Sequence, residues 1–198
     1  MKKILITGRI DVLGKHSEKR DNIDLRFIKM IEEMKSVPII LPNFLSHTRE
    51  FVKLIQPKAI VLSSGGDIYK KDERFKNEEF LIKFAISKKI PLIGICRGAQ
   101  RINKFFGGKL KKLNNHVGTR HQIFGEIVKN KKIFVNSYHN YGIKKEILGN
   151  DLKILAYTKD NSIECFCHNS SKILGIMWHP ERNLKLSFFD KKLIGKYL

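Results

Sequence analysis

Gly94-Ile95-Cys96-Arg97-Gly98-Ala99 follows an apolar run directly and opens a helical one. This is a nucleophile elbow with a thiol in the nucleophile position: the strand-to-helix turn pushes the reactive side chain out of the backbone. The flanking glycines are required because a side chain there would collide with the neighbouring strand and helix. The helix amino terminus behind Cys96 is expected to favour thiolate over thiol and to offer free N–H groups to an anion. Covalent catalysis by cysteine is the chemistry this predicts. Three other stretches supply groups that such a nucleophile needs. In Ser64-Gly65-Gly66-Asp67, two adjacent glycines let backbone N–H groups approach a ligand closely. In Trp178-His179-Pro180-Glu181, an imidazole and a carboxylate two apart on an extended segment would point to one side, where the acid can orient the ring. Asn136-Ser137-Tyr138-His139-Asn140 reads as a polar, aromatic loop able to touch a substrate. Each of these three, taken alone, is also an ordinary turn.

The elements that must position them alternate along the first half. Strands are predicted at Lys3 to Thr7, Pro38 to Leu41, Ala59 to Leu62 and Ile90 to Ile95. Helices are predicted at Asp24 to Lys35, Thr48 to Leu54, Glu73 to Lys88 and Arg101 to Phe106, the last stopped by Gly107-Gly108. This order predicts a parallel sheet with helices on both faces. The second half reads as short strands at Gln122-Ile123, Ile133 to Val135, Leu152 to Tyr157, Ile163 to Cys167 and Ile173 to Met177, pairing antiparallel as an extension. A helix from Ser187 to Leu198 closes the chain. No repeat or linker interrupts it, so residues 1–198 read as one domain.

With 198 residues, 42% of them hydrophobic, the chain can bury a sizeable core. No apolar run approaches the ~20 residues that span a bilayer. Met1-Lys2-Lys3 followed by Ile4-Leu5-Ile6 is too short an apolar segment for a signal peptide and reads as a first buried strand. Three cysteines argue against a disulfide framework and for a reducing compartment, the cytoplasm. Cys165, Cys167 and His168 lack a second ligand pair at zinc spacing, so they read as strand residues, and no metal or cofactor is expected. The net charge of +20 raises nucleic-acid binding, but the lysines are scattered and show no aromatic–basic pattern. A positive surface that draws in a small anionic substrate is the simpler expectation, with no membrane and no nucleic acid as partner.

Gly94-x-Cys96-Arg97-Gly98-x-Gln100, Gly107-Gly108, Ser64-Gly65-Gly66-Asp67, Asn136-Ser137-x-His139 and Trp178-His179-Pro180-Glu181 occur in the order and rough spacing of class I glutamine amidotransferases. The chain resembles that family over nearly its whole length. The resemblance implies a flavodoxin-like α/β domain and a triad of Cys96, His179 and Glu181. It also implies an oxyanion hole from the backbone N–H groups of Gly66 and Arg97. Gln100 matches the position that helps hold the glutamyl group, and Ser137, Tyr138 and His139 match the stretch that contacts its α-carboxylate and α-amine; Gly65, Asp67 and Asn136 are further substrate-binding candidates.

Arginine after the nucleophile, and Ile6-Thr7-Gly8-Arg9 near the start, are similar to the γ-glutamyl hydrolase subgroup, with Gly8 a departure. Asp67-Ile68-Tyr69 stands where those enzymes often carry proline, which argues against a polyamine-pathway substrate. Asn115-His116-Val117-Gly118-Thr119-Arg120-His121 adds a narrower likeness, to γ-glutamyl-CDP-amidate hydrolases of capsule phosphoramidate biosynthesis. A basic loop holding His116, Arg120 and His121 would suit a phosphate-bearing leaving group, as would Arg9, Lys15 and Arg20 if their segment lies over the site. The alternatives are a glutaminase subunit feeding ammonia to a synthase partner, a hydrolase of another small γ-glutamyl amine, and a basic binding module with a dead site.

Overall fold

The computed structural model describes residues 1–129 and 131–198. In chain order the elements are β1 (Lys2–Thr7), β2 (Arg9–Leu13), β3 (Glu18–Asn22), α1 (Leu25–Glu33), β4 (Ser36–Leu41), α2 (Thr48–Ile55), β5 (Ala59–Leu62) and α3 (Glu73–Lys88). Then follow β6 (Leu92–Ile95), α4 (Arg97–Phe105), β7 (Lys111–Lys112), β8 (Val117–Phe124), β9 (Ile133–Tyr138), β10 (Tyr141–Lys144), β11 (Leu152–Thr158), β12 (Ser162–His168), β13 (Ile173–Ile176) and α5 (Phe188–Gly195).

One sheet runs β4-β1-β5-β6-β13-β12-β11-β8-β9, with β10 pairing β12 and β7. The first five strands of that order pair in parallel. Numbered among themselves they lie 2-1-3-4-5, the doubly wound order whose ligand crevice opens at the carboxyl ends of the strands. From β13 outward the pairing is antiparallel. The central strands are unbroken apolar runs whose side chains go to both faces, so both faces must be covered. Ile4 and Ile6 pack with Phe27, Met30 and Ile31 of α1 and with Leu193 and Ile194 of α5. Leu5, Ile60, Leu62 and Leu92 pack on the other face with Val52, Leu81, Ile82, Ala99 and Ile102 of α2, α3 and α4. The Asp24, Asp72 and Ser187 side chains cap α1, α3 and α5 by accepting backbone N–H bonds.

The structure departs from the sequence reading in several places, among them a strand at Tyr141–Lys144 that was not expected. The helix after Cys96 starts at Arg97, a full turn earlier than predicted, because close packing of Gly98 against β5 outweighs glycine's poor helix propensity. Arg9–Leu13 and Glu18–Asn22 form a two-stranded hairpin that the sequence did not announce: Glu18–Asn22 is wholly polar and exposed, and Val12 and Leu13 of the first strand are left exposed instead of joining the core. The stretches read as loops at residues 119–121 and 136–138 belong to strands β8 and β9, which pair with each other. Finally, Pro180–Arg182 is a 3₁₀ turn and not an extended segment. Among the described residues, no helix is long and apolar enough to cross a membrane.

Candidate active site

Cys96 stands one residue beyond β6, in the middle of the parallel strands. Its backbone lies at φ 51° and ψ −102°, a conformation that costs a non-glycine residue roughly 1–3 kcal/mol and persists only where the surroundings impose it. The surroundings are visible. The Cys96 N–H donates to Ile176 O at 2.7 Å, tying the turn to β13. A Cβ on Gly98 would stand 2.1 Å from the Leu62 carbonyl oxygen, and one on Gly94 2.5 Å from the Gly98 carbonyl carbon. Strand, turn and helix are therefore in backbone contact. Cys96 as a residue is 7% exposed. Burial, and then the Glu181 charge, push its pKa up to about 12, against the Arg97 N–H bond and the Arg182 charge. The expected resting thiolate is thus corrected to a thiol: the helix terminus does not offset desolvation.

Three residues past β13, His179 turns its Nδ1 onto Glu181 Oε1 at 2.6 Å. The contact is made through the 3₁₀ turn rather than by strand alternation, and both residues are buried. His179 Nε2 is enclosed without a hydrogen-bond partner among the described residues. Because β6 and β13 pair in register at Ile95 and Ile176, Cys96 and His179 emerge from neighbouring strands at the same end. Asn136 clamps the histidine backbone from both sides: its Nδ2 donates to His179 O at 2.8 Å, and its Oδ1 accepts from His179 N at 2.8 Å. Tyr138 lies edge-on to the imidazole, ring centroids 5.6 Å apart.

The Ser63 to Gly66 loop leaves β5 with Gly65 and Gly66 at φ 77° and 83°, left-handed values suited to glycine. Its carbonyls are gathered by Arg74, which donates to Gly65 O and Ser63 O, both at 2.7 Å. Arg74 in turn pairs with Glu78 at 2.8 Å, and Glu78 pairs with the Arg97 guanidinium. All three side chains are buried. Burial lowers the Arg74 pKa to about 10 despite the Glu78 charge. The reading of the sequence missed this clamp between the glycine loop and the nucleophile turn. Its one signal was an arginine and a glutamate four apart on an amphipathic helix, a pattern usually found on solvated faces.

The remaining candidates divide. Arg9 reaches the glycine loop: its side chain would meet a Cβ on Gly65 at 3.3 Å. Asp67 is exposed and caps its own turn by accepting from Tyr69 N at 2.8 Å. Gln100 donates its amide to Tyr141 O at 2.7 Å, bracing α4 against β10. Ser137 is fully enclosed and donates to His116 O at 2.6 Å, so it faces the interior rather than a substrate. His139 and His116 are likewise buried. The expected phosphate cluster splits, because Arg120 and His121 are neighbours on a strand and alternate sides. His121 packs its ring 4.3 Å from His116, whereas Arg120 lines a cavity of about 180 Å³ with Trp178, Phe189 and Asp190. Arg20 pairs with Glu18 inside the hairpin at 2.8 Å. Cys165 and Cys167 join the core facing α1 and α5. A cavity of about 650 Å³ under β11 holds none of these residues, so its size does not mark the site.

Comparison with known proteins adds an independent finding. The family described as glutamine amidotransferase class-I matches residues 21–194. The chain is 35% identical over 188 residues to a γ-glutamyl-CDP-amidate hydrolase of Campylobacter jejuni, covering 89% of this chain and 88% of that protein. It is 28% identical over 162 residues to one component of the glutamine-hydrolysing GMP synthase of Methanococcus aeolicus, covering 79% and 81% of the two. Its fold matches a glutamine amidotransferase structure from Thermotoga maritima with a TM-score of 0.66 at 17% identity, covering 91% of this chain and 76% of that one.

Proposed function

Because this chain belongs to the class I glutamine amidotransferase family, we propose that it hydrolyses a γ-glutamyl amide through a thioester on Cys96. The observation that carries the reading is the His179–Glu181 pair at 2.6 Å, with the other ring nitrogen buried and, among the described residues, unpartnered at the strand end shared with Cys96. His179 Nε2 takes the thiol proton as sulfur adds to the γ-carbonyl carbon. The carbonyl π-electrons move onto oxygen, where the N–H groups of Gly66 and Arg97 receive the charge. The adduct collapses, the C–N bond breaks, and His179 returns the proton to the departing nitrogen. Water, deprotonated by His179, then attacks the thioester, and glutamate leaves as the thiol re-forms. Glu181 holds the imidazole tautomer throughout. A buried, neutral thiol suits this sequence, since the proton leaves only as substrate engages the imidazole.

The substrate we favour is γ-glutamyl-CDP-amidate, supported by the 35% identity to the Campylobacter hydrolase. Arg9 beside the glycine loop and the net charge of +20 suit a nucleotide-bearing leaving group. We place the reaction in the cytoplasm, where three unpaired cysteines remain reduced. The test compares the isolated protein on γ-glutamyl-CDP-amidate and on glutamine. Turnover of the nucleotide conjugate, abolished by Cys96→Ser, is expected. Turnover of glutamine that appears only with an added synthase would favour the ammonia-supplying reading instead. Unimpaired turnover by Cys96→Ser would remove the mechanism.

A further inference from the structure

Glu164 projects from β12 into a fully enclosed position, and among the described residues neither of its carboxylate oxygens has a hydrogen-bond partner. Two imidazoles face it. His139 Nε2 lies 3.5 Å and His116 Nδ1 3.8 Å from Glu164 Oε1, and these nitrogens are also buried and unpartnered. The outer nitrogen of each ring is engaged: His139 Nδ1 lies 3.1 Å from the Tyr141 carbonyl oxygen, and His116 Nε2 lies 3.2 Å from the Asp160 carboxylate. A carbonyl and a carboxylate only accept, so the ring protons belong on the outer nitrogens. The inner nitrogens then present lone pairs, and a carboxylate presents more of them to the same small volume. Lone pairs converging in a buried site without a donor are costly. A cation relieves that cost.

The spacing favours a metal ion over a hydrogen bond. Separations of 3.5 and 3.8 Å are long for an N–H···O bond. They approach the roughly 3.3 Å that separates donors placed about 2.0–2.1 Å from a tetrahedral centre. The three ligand atoms all lie within 4.8 Å of one another. Two imidazoles and one carboxylate are a donor set that zinc-class ions accept, with a further position left for water. The outer partners also fit, since a metal-bound histidine commonly donates its other N–H to a carboxylate or a carbonyl. Asp160 is itself held by Ser162 Oγ at 2.9 Å and Lys144 Nζ at 3.2 Å.

We propose that His116, His139 and Glu164 form a binding site for a divalent, zinc-class cation that ties the start of β8, the β9–β10 turn and β12 together. The proposal goes beyond the reaction assigned to Cys96 and stands whether or not that assignment holds.

The test uses the full chain carrying Cys96→Ser, stripped with a chelator and then titrated with Zn²⁺ against a chromophoric competitor. One tightly held equivalent is expected. Glu164→Gln should weaken it by more than ~100-fold, and Asp160→Asn by about 10–100-fold, as for an outer partner. Absence of stoichiometric uptake, or uptake that survives Glu164→Gln, overturns the proposal. Should those variants fail to fold, Co²⁺ added to the Cys96→Ser protein gives the answer. Visible bands of a four-coordinate nitrogen and oxygen site are expected. A thiolate-to-cobalt band, pointing to Cys165 or Cys167, or no visible band, overturns it.

Discussion

Glu78→Gln tests whether the buried clamp, and not the glycine loop alone, shapes the candidate site. Glu78 is fully enclosed and receives Arg74 Nε at 2.8 Å, the Arg97 guanidinium and Thr7 Oγ1 at 3.3 Å. Burial raises its pKa, but the two guanidiniums win and hold it below the ordinary glutamate value. The amide keeps the shape and removes the charge, leaving two buried cations facing one another. Removing one partner of a buried ion pair costs about 3–5 kcal/mol. A domain of this size holds roughly 5–15 kcal/mol in total, so the variant should still fold. At about 2–4 °C per kcal/mol, its Tm should drop by roughly 6–20 °C. Catalysis should suffer separately if Gly66 N–H is the oxyanion donor proposed above, because Arg74 gathers the carbonyls of Ser63 and Gly65 on either side of that turn. Displacing one oxyanion donor costs about 10²–10³ in kcat. Scanning calorimetry gives the first number, and steady-state kinetics below the lowered Tm give the second. Glu126→Gln, which removes a fully exposed partner of Lys153, serves as the control and should leave Tm unchanged. If Glu78→Gln moves Tm no further than that control, the clamp argument is wrong.

Other expectations follow from the same geometry. Alkylation of Cys96 by iodoacetamide, followed by mass spectrometry, should quicken about tenfold per pH unit from neutrality to pH ~10, because a pKa near 12 leaves only ~1 thiol in 10⁵ ionised at pH 7. A plateau near neutral pH would show a preformed thiolate and contradict the burial argument. Gly98→Ala should destabilise by about 1–3 kcal/mol or more in urea unfolding, because the new methyl meets the Leu62 backbone, which has little room to yield. Wild-type stability would mean that the α4–β5 approach is looser than described. Asn136→Ala should lower kcat with little change in KM, since it frees the His179 backbone on both sides; an unchanged kcat would leave Asn136 a purely structural role. Between pH 3 and 6, stability should fall as acid is added. Carboxylates such as Glu78, Asp24 and Glu33 have folded pKa values below their unfolded ones, so their contribution is present above the unfolded values and lost as pH falls through the folded ones. Asp190 acts in the opposite direction, because burial raises its pKa and favours the protonated form in the folded state.

Much of this protein is local, and local features are written in the chain. Gly94 is dictated by contacts within the strand-turn-helix unit and Gly98 by the neighbouring strand β5, and their spacing around Cys96 after an apolar run located the nucleophile turn. Continuous apolar runs in β1, β5 and β6 specified strands buried on both faces, and hence helices on both sides. What escaped the sequence depends on which face a residue takes and on what lies opposite. Arg120 and His121 look like one basic patch until strand pairing sends them to opposite sides. The hairpin at residues 9–22 pairs a short strand carrying Ile10, Val12 and Leu13 with a wholly polar strand, Glu18–Asn22, which shows no strand pattern of its own. Asn136, Ser137 and His139 look like a substrate loop, but β8–β9 pairing turns Ser137 and His139 inward and gives Asn136 to the His179 backbone. Glu164 sits unremarked in an apolar strand and acquires meaning only where two distant histidines converge on it. The ionisation of Cys96 could not be read locally at all: a helix terminus favours the thiolate, and only the packed surroundings, by excluding water, make desolvation the larger effect.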